Sequence, residues 1–360
     1  IYSVGNEIRD NLNDTSGFRK YKMQQDLIHE LDGTRPVTMA LFRPGVSKVY
    51  ENGFVETMDV VGQNYREAEL VAAHEAKPAR KVIGTENGHE LAAWLTLRDK
   101  PYMSGQFLWT GIEYLGESEW PRVVNGSGFM DKTGELKNNG YQRQSWWSSK
   151  PMVHLMRSEG NAGSGAWVSD WTPSDFDTYD EARLQVFSNC DEVELFLNDK
   201  SLGVKGLPED KASPRTWTTT FQKGTIKAVA RNGGKVVAEQ VLKTAGNASK
   251  IILTADKPTA SNDWNDVVFI TASVTDDDES LVRAADNKIT FTISGPGVIA
   301  AVDNANLTST ESFQGKERLA YKGKCIAIIK ASADKGKIII TATADGLKSG
   351  SVSIDATEKK

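Results

Sequence analysis

Two textures of apolar and polar positions divide the 360-residue chain. Over residues 1–150, short apolar runs alternate with stretches at helical spacing, the pattern of βα units around a parallel sheet. Residues 1–4 read as a strand that ends in Gly5-Asn6-Glu7. Phe18, Tyr21, Leu27, Ile28 and Leu31 then fall near helical spacing, with Ser16 as a candidate N-cap and Gly33 just past the end. Further strands are predicted at 36–40, 58–62, 82–84 and 103–109. Helices are predicted at 67–76, where Pro78 is the stop, at 90–97 and near 139–147. These make five βα units where a closed (β/α)8 barrel needs eight, so three units are expected before Ile1.

After Pro151 the runs shorten and alternate, broken by Gly, Asn, Asp and Pro every ~8 to 12 residues, as in β-sandwiches. Strands at 184–188, 192–197, 227–231 and 236–242, with 198–203 turning into another, form a first set. A polar link, Thr244-Ala245-Gly246-Asn247-Ala248-Ser249, separates a second at 251–254, 267–274, 289–293, 326–331 and 338–344. The expected architecture is therefore α/β plus all-β: the later part of a barrel over 1–150, a β-sandwich over 151–246 and an immunoglobulin-like β-sandwich over 247–360.

Composition narrows the function classes. A net charge of -5 with acids and bases interspersed offers no basic face for nucleic acid. No apolar run approaches the ~20 residues of a membrane helix, so no membrane insertion is expected. Cys190 and Cys325 fit neither a disulfide framework nor a metal-ligand spacing and are expected to be buried thiols.

Candidate chemistry sits at the predicted strand ends. Val82-Ile83-Gly84-Thr85-Glu86 delivers a carboxylate where a barrel places its rim, and Glu7 ends a strand three βα units earlier. Two converging carboxylates are what glycosidic cleavage requires, one protonated to donate to the leaving oxygen and one ionised to attack the anomeric carbon. Asn6 could bond the sugar hydroxyl beside that carbon, and Tyr65 could donate to Glu86. Trp109 offers a flat wall for a pyranose face. Singly, each has a bland reading: strand-end asparagines are often turn formers, and tryptophans there are often core.

Ser3-Val4-Gly5-Asn6-Glu7, Gly84-Thr85-Glu86 and the run from Gly105-Gln106-Phe107-Leu108-Trp109 through Thr110-Gly111-Ile112-Glu113 to Glu117 resemble glycoside hydrolase family 2, the β-galactosidase, β-glucuronidase and β-mannosidase family. The resemblance implies that Glu7 is the acid/base and Glu86 the nucleophile of a retaining exo-β-glycosidase, and that the five units are barrel strands 4 to 8. Earlier strands and domains would precede Ile1, together with any export signal for a periplasmic or secreted protein. Residues 186–198 resemble the sandwich that follows the barrel in β-galactosidase-type members. His89 matches a histidine near the substrate of β-galactosidases, and Glu113 stands where many relatives have aspartate, as pocket residue or loop anchor. The lysine that glucuronidases use to hold a uronic carboxylate is absent at Asn125-Gly126-Ser127, which favours a β-galactoside. No required cofactor is indicated; the family permits a divalent or monovalent cation that no motif here supports. A glycoside or oligosaccharide is the expected partner, and a homo-oligomer is compatible. The reading from a different class is a non-catalytic carbohydrate-binding or adhesive module.

Overall fold

The computed structural model describes residues 1–8, 16–160 and 165–359. The chain forms two compact units, Ile1–Gly111 and Ile112–Lys360.

The first unit is built on five strands, β1 (Tyr2–Asn6), β2 (Val37–Leu41), β3 (Val61–Asn64), β4 (Val82–Asn87) and β5 (Met103–Leu108), hydrogen-bonded in that order and parallel throughout. The helices α1 (Ser16–Leu31), α2 (Pro44–Ser47), α3 (Glu67–Ala76) and α4 (Leu91–Arg98) fall between them. Strands covered by such crossovers become apolar along their length rather than alternating, and every residue of β2 is buried. Val37, Met39 and Leu41 of β2 join Val61, Val82, Tyr21 of α1 and Leu70 of α3 in one core.

Of the strand boundaries that differ from the sequence reading, two bear most on the chemistry. The strand expected at 58–62 pairs only from Val61 and runs on to Asn64. Residues before it are held otherwise: Asp59 accepts the Val37 backbone N–H at 2.8 Å, and the Gln25 amide donates to the Thr57 carbonyl at 2.9 Å. The strand expected to stop at Gly84 continues to Asn87, which puts Glu86 inside it.

The second unit consists of sheets packed face to face, antiparallel except where Thr259–Ser261 pairs parallel with Gly350–Thr357, and helix α5 (Asn138–Trp147) precedes the first pair. One sheet orders Arg215–Thr220, Glu181–Ser188, Val153–Ser158 and Trp167–Val168; the other orders Lys200–Gly206, Glu192–Leu197, Thr225–Asn232 and Lys235–Lys243. Leu184, Val186 and Trp217 of the first meet Val193, Leu195 and Ala228 of the second in a common core. A second pair places Lys250–Ala255, Val268–Thr275, Lys324–Ala331 and Gly297–Asp303 against a five-stranded sheet that runs from Thr259–Ser261 to Glu317–Leu319. Ile270, Ala272, Phe291 and Ile340 share its core. Both cysteines are free and buried. Among the described residues, no helix is long and apolar enough to cross a membrane.

Candidate active site

Parallel pairing brings the carboxyl ends of β1 to β5 to one edge of the sheet, and irregularities cluster there. The ladders lose register between Ser3 and Asn6, between Gln63 and Asn64, and between Gly84 and Asn87. Such bulges re-aim side chains that a regular strand would send to alternate faces. Glu7, Tyr65 and Arg66 also adopt left-handed backbone, each with φ 52°. For non-glycine residues this conformation costs on the order of 1 kcal/mol or more, and surrounding contacts must hold it. Gln63, fully buried, does so at β3: its amide donates to the carbonyls of Tyr65 and Arg66, both at 3.0 Å. The Tyr50 hydroxyl donates to the Gln63 side-chain oxygen at 2.5 Å and fixes the amide's orientation. Gly84 leaves room for a second buried amide, since a Cβ there would lie 2.1 Å from Asn87 Oδ1.

The central residue of this edge is Asn64, which is fully buried. Its Nδ2 donates toward Asn6 Oδ1 at 3.0 Å, Glu7 Oε1 at 3.2 Å and Glu86 Oε2 at 3.0 Å. The Thr85 hydroxyl donates to Asn64 Oδ1 at 2.9 Å, leaving the NH2 end facing the three acceptors. Because both carboxylate oxygens contact the same nitrogen, their separation cannot exceed the sum of the two distances, 6.2 Å. An amide carries two protons, so three acceptors must share them, and the cluster remains poised for change in any one partner.

Tyr65 completes the group. Burial first, and then a hydrogen bond to the Glu86 carboxylate, raise its phenol well above the ordinary tyrosine range. The charges of Glu86 and Glu7 act in the same direction, because a phenolate would be repelled by both. The half-buried Glu7 and Glu86 are thus joined to Asn6 and Tyr65 through contacts made at three strand ends. His89 lies two residues past the end of β4, half-buried. Trp109 directly follows β5, its backbone N–H bonded to the Asn87 carbonyl at 3.0 Å, and is also half-buried.

Glu113 belongs to the second unit and has an anchoring environment there. It is 5% exposed, and Lys137 Nζ donates to its Oε1 at 2.5 Å while also donating to the Gly126 carbonyl at 2.7 Å. Among the described residues, no group of three or more His, Cys, Asp or Glu is placed to hold a metal ion.

Asn64 and Gln63 are the site residues that sequence reasoning passed over. The signal available was a pair of amides immediately before a candidate site tyrosine. Its meaning depends on Glu7 and Glu86 arriving from other strands.

Comparison with known proteins adds three kinds of finding. Residues 251–353 match the family described as "Glycoside hydrolase family 2 C-terminal domain 5", and residues 180–238 match "Domain of unknown function (DUF4982)". A protein of Bacteroides ovatus named "Beta-galactosidase BoGH2A" is 38% identical over 276 residues, covering 76% of this chain and 30% of that protein. A "Beta-glucuronidase" of Formosa agariphila is 25% identical over 272 residues, 72% of this chain and 25% of that one. A crystal structure of a glycosyl hydrolase family 2 member from Bacteroides cellulosilyticus superimposes with a TM-score of 0.87 at 27% identity, covering 99% of this chain and 49% of that one. The chain thus spans less than a third of the curated relatives it matches and about half of that solved structure.

Proposed function

Because the chain belongs to glycoside hydrolase family 2, we propose that it carries both catalytic carboxylates of a retaining exo-β-glycosidase, with a terminal β-galactoside as substrate. The observation that carries the proposal is the bridging Asn64 amide, which draws one carboxylate oxygen of Glu7 and one of Glu86 onto a single nitrogen and so supports a close pair. Retaining enzymes hold their carboxyl groups about 5 to 5.5 Å apart, whereas inverting ones need roughly 6.5 to 9.5 Å to admit a water.

In this reading Glu86 attacks the anomeric carbon while Glu7 gives its proton to the departing oxygen. The bond to the leaving group breaks as the bond to Glu86 Oε forms. Water, deprotonated by Glu7, then attacks the same carbon and releases Glu86, so the configuration is retained. Asn64 and Tyr65 donate to the Glu86 carboxylate and orient it. Asn6 is read as the contact to the neighbouring sugar hydroxyl, Trp109 as the wall of the sugar site and His89 as a further rim contact. Glu113 is read as a loop anchor.

The five parallel strands are read as strands 4 to 8 of a (β/α)8 barrel spanning residues 1–150. The two sheet pairs are read as a β-sandwich over 151–246 and an immunoglobulin-like β-sandwich over 247–360. The β-galactoside preference follows the name of the Bacteroides ovatus relative and the missing lysine at Asn125-Gly126-Ser127. A β-glucuronide is the second reading, supported by the name of the Formosa agariphila relative; a β-mannoside is the remaining family choice.

Turnover of nitrophenyl β-galactoside, β-glucuronide and β-mannoside by the protein ranks the sugars. Glu86→Gly should abolish hydrolysis, and added azide should restore turnover with a glycosyl azide of inverted configuration. Rescue of Glu7→Ala alone, with no effect of azide on Glu86→Gly, would reject the assignment of the nucleophile. Absence of turnover for every sugar by the full-length protein would favour the binding-module reading.

A further inference from the structure

The second unit contains a cleft of about 1150 Å³ whose residues come from the Ile112–Tyr141 segment and from both sheet pairs. That volume exceeds an ordinary small-ligand pocket and suits a saccharide of two or three rings. One wall is the outer face of the strand Val268–Thr275. Phe269, Thr271 and Ser273 alternate along it and so share a face, with Thr254 opposite Thr271 on the neighbouring strand. Trp167 and Tyr321 line the same space. Rings and hydroxyls in alternation suit a sugar, whose C–H faces stack on aromatics while its hydroxyls exchange hydrogen bonds.

The cations around the cleft fall into two groups. Lys132 pairs with Asp303 at 3.0 Å, Lys137 with Glu113 at 2.5 Å, Lys324 with Glu135 at 2.6 Å and Arg283 with Asp170 at 3.0 Å. Lys322 meets no acid at ion-pair distance among the described residues and lies over the Tyr321 ring, 5.3 Å from its centre. Its backbone is also unusual. Tyr321 and Lys324 exchange backbone hydrogen bonds across Lys322-Gly323, whose φ values are 52° and 79°. A two-residue turn with both φ positive prefers Asn-Gly, so a lysine at the first position is held at some cost in stability.

We infer that this cleft is a binding site for an acidic saccharide, with Lys322 pairing the carboxylate or sulfate and the aromatic and hydroxyl face holding the rings. The site lies wholly in the second unit and does not depend on the reading of Glu7 and Glu86. Lys322 is exposed to the cleft; partial desolvation, then the charges of Arg283 and Lys137, lower its pKa, opposed by Asp131 and Glu113.

Titration calorimetry on the protein tests the site with α-linked digalacturonate, galactose 6-sulfate and neutral α-linked galactobiose. None of these carries a bond that a β-glycosidase cleaves, so binding is read apart from turnover. Digalacturonate or galactose 6-sulfate should bind more tightly than galactobiose, and whichever does names the anionic group. Lys322→Asn should weaken the acidic sugar about tenfold, and Lys322→Arg should restore most of the affinity. Lys322→Asn should also raise the melting temperature, because asparagine tolerates the left-handed turn; that separates lost charge from lost fold. Three results would each overturn the inference: no preference for an acidic sugar, equal affinity in Lys322→Asn, or binding strictly competitive with a nitrophenyl glycoside.

Discussion

Both units bury polar groups, but in different company. In the second unit two buried guanidinium groups are matched by opposite charges, Arg157 to Asp170 at 2.5 Å and Arg318 to Asp303 at 2.6 Å, while a third, Arg215, is held by the backbone carbonyls of Ser188, Cys190 and Gly206. Such pairs offset the cost of leaving water, and each partner holds the other in one charge state. At the edge of the first unit, Glu7 and Glu86 instead share a neutral donor, the Asn64 amide, and Glu86 also accepts from the Tyr65 phenol. A neutral amide can accompany a carboxylate through a change of charge or the formation of a bond, as an arginine could not without large cost. The contrast separates polar burial that stabilises the fold from polar burial that leaves groups ready to react. Substituting polar residues in the second unit should therefore register in stability, and in the first chiefly in rate.

The largest expected effect is in stability and belongs to the second unit. His154 is buried against Tyr141, rings stacked at 3.7 Å, with its Nε2 3.1 Å from Asn138 Oδ1. Burial lowers its pKa from 6.5 to about 4. The unfolded chain binds a proton near pH 6.5 while the folded chain declines it until about pH 4. Stability present above pH 6.5 is therefore lost as pH falls through that window, up to about 3 kcal/mol. Urea unfolding at pH 7 and pH 4.5 measures the loss, and His154→Gln should remove this component. An unchanged pH slope in that variant would place the acid sensitivity on other groups and weaken the contrast.

Next comes Asn64→Ala. Removing the bridging amide frees Asn6, Glu7 and Glu86 together, and a misplaced reacting group costs on the order of 100-fold. The loss should fall on kcat more than on KM, because the carboxylates lose a shared donor that holds them in place. A drop in stability with kcat intact would mean that Asn64 behaves like the buried pairs of the second unit.

How much of this was legible in sequence depends on how local each feature is. Glu7 and Glu86 could be proposed because each ends an apolar run, and the alternating strands after Pro151 because a period of two is visible in one segment. Asn64 could not, since its three acceptors come from β1 and β4, and β1 is not even its neighbour in the sheet. The predicted end of its strand at Gly62 also left Asn64 beyond the strand rather than on it. The strand Arg215–Thr220 was passed over for a different reason: its threonines leave Trp217 as the one apolar residue, so no alternation shows. Glu113 was ambiguous because Lys137, which neutralises it, lies far along the chain.

The smallest expected effect is the sharpest test of the first unit's side of the contrast. Tyr65→Phe removes one donor to Glu86 and leaves Asn64 in place, so kcat/KM should fall about tenfold, within the range of a hydrogen bond to a charged group. The folded protein holds the Tyr65 proton well above the ordinary value near 10. Unfolded tyrosine would release it there, so this group begins to cost stability only above about pH 10, and through the neutral and mildly alkaline range it remains a donor. Wild-type activity should therefore show no alkaline limb belonging to Tyr65 below that point. A limb near pH 10 that disappears in Tyr65→Phe would mean that the phenol titrates freely, and that burial together with Glu86 does not hold its proton.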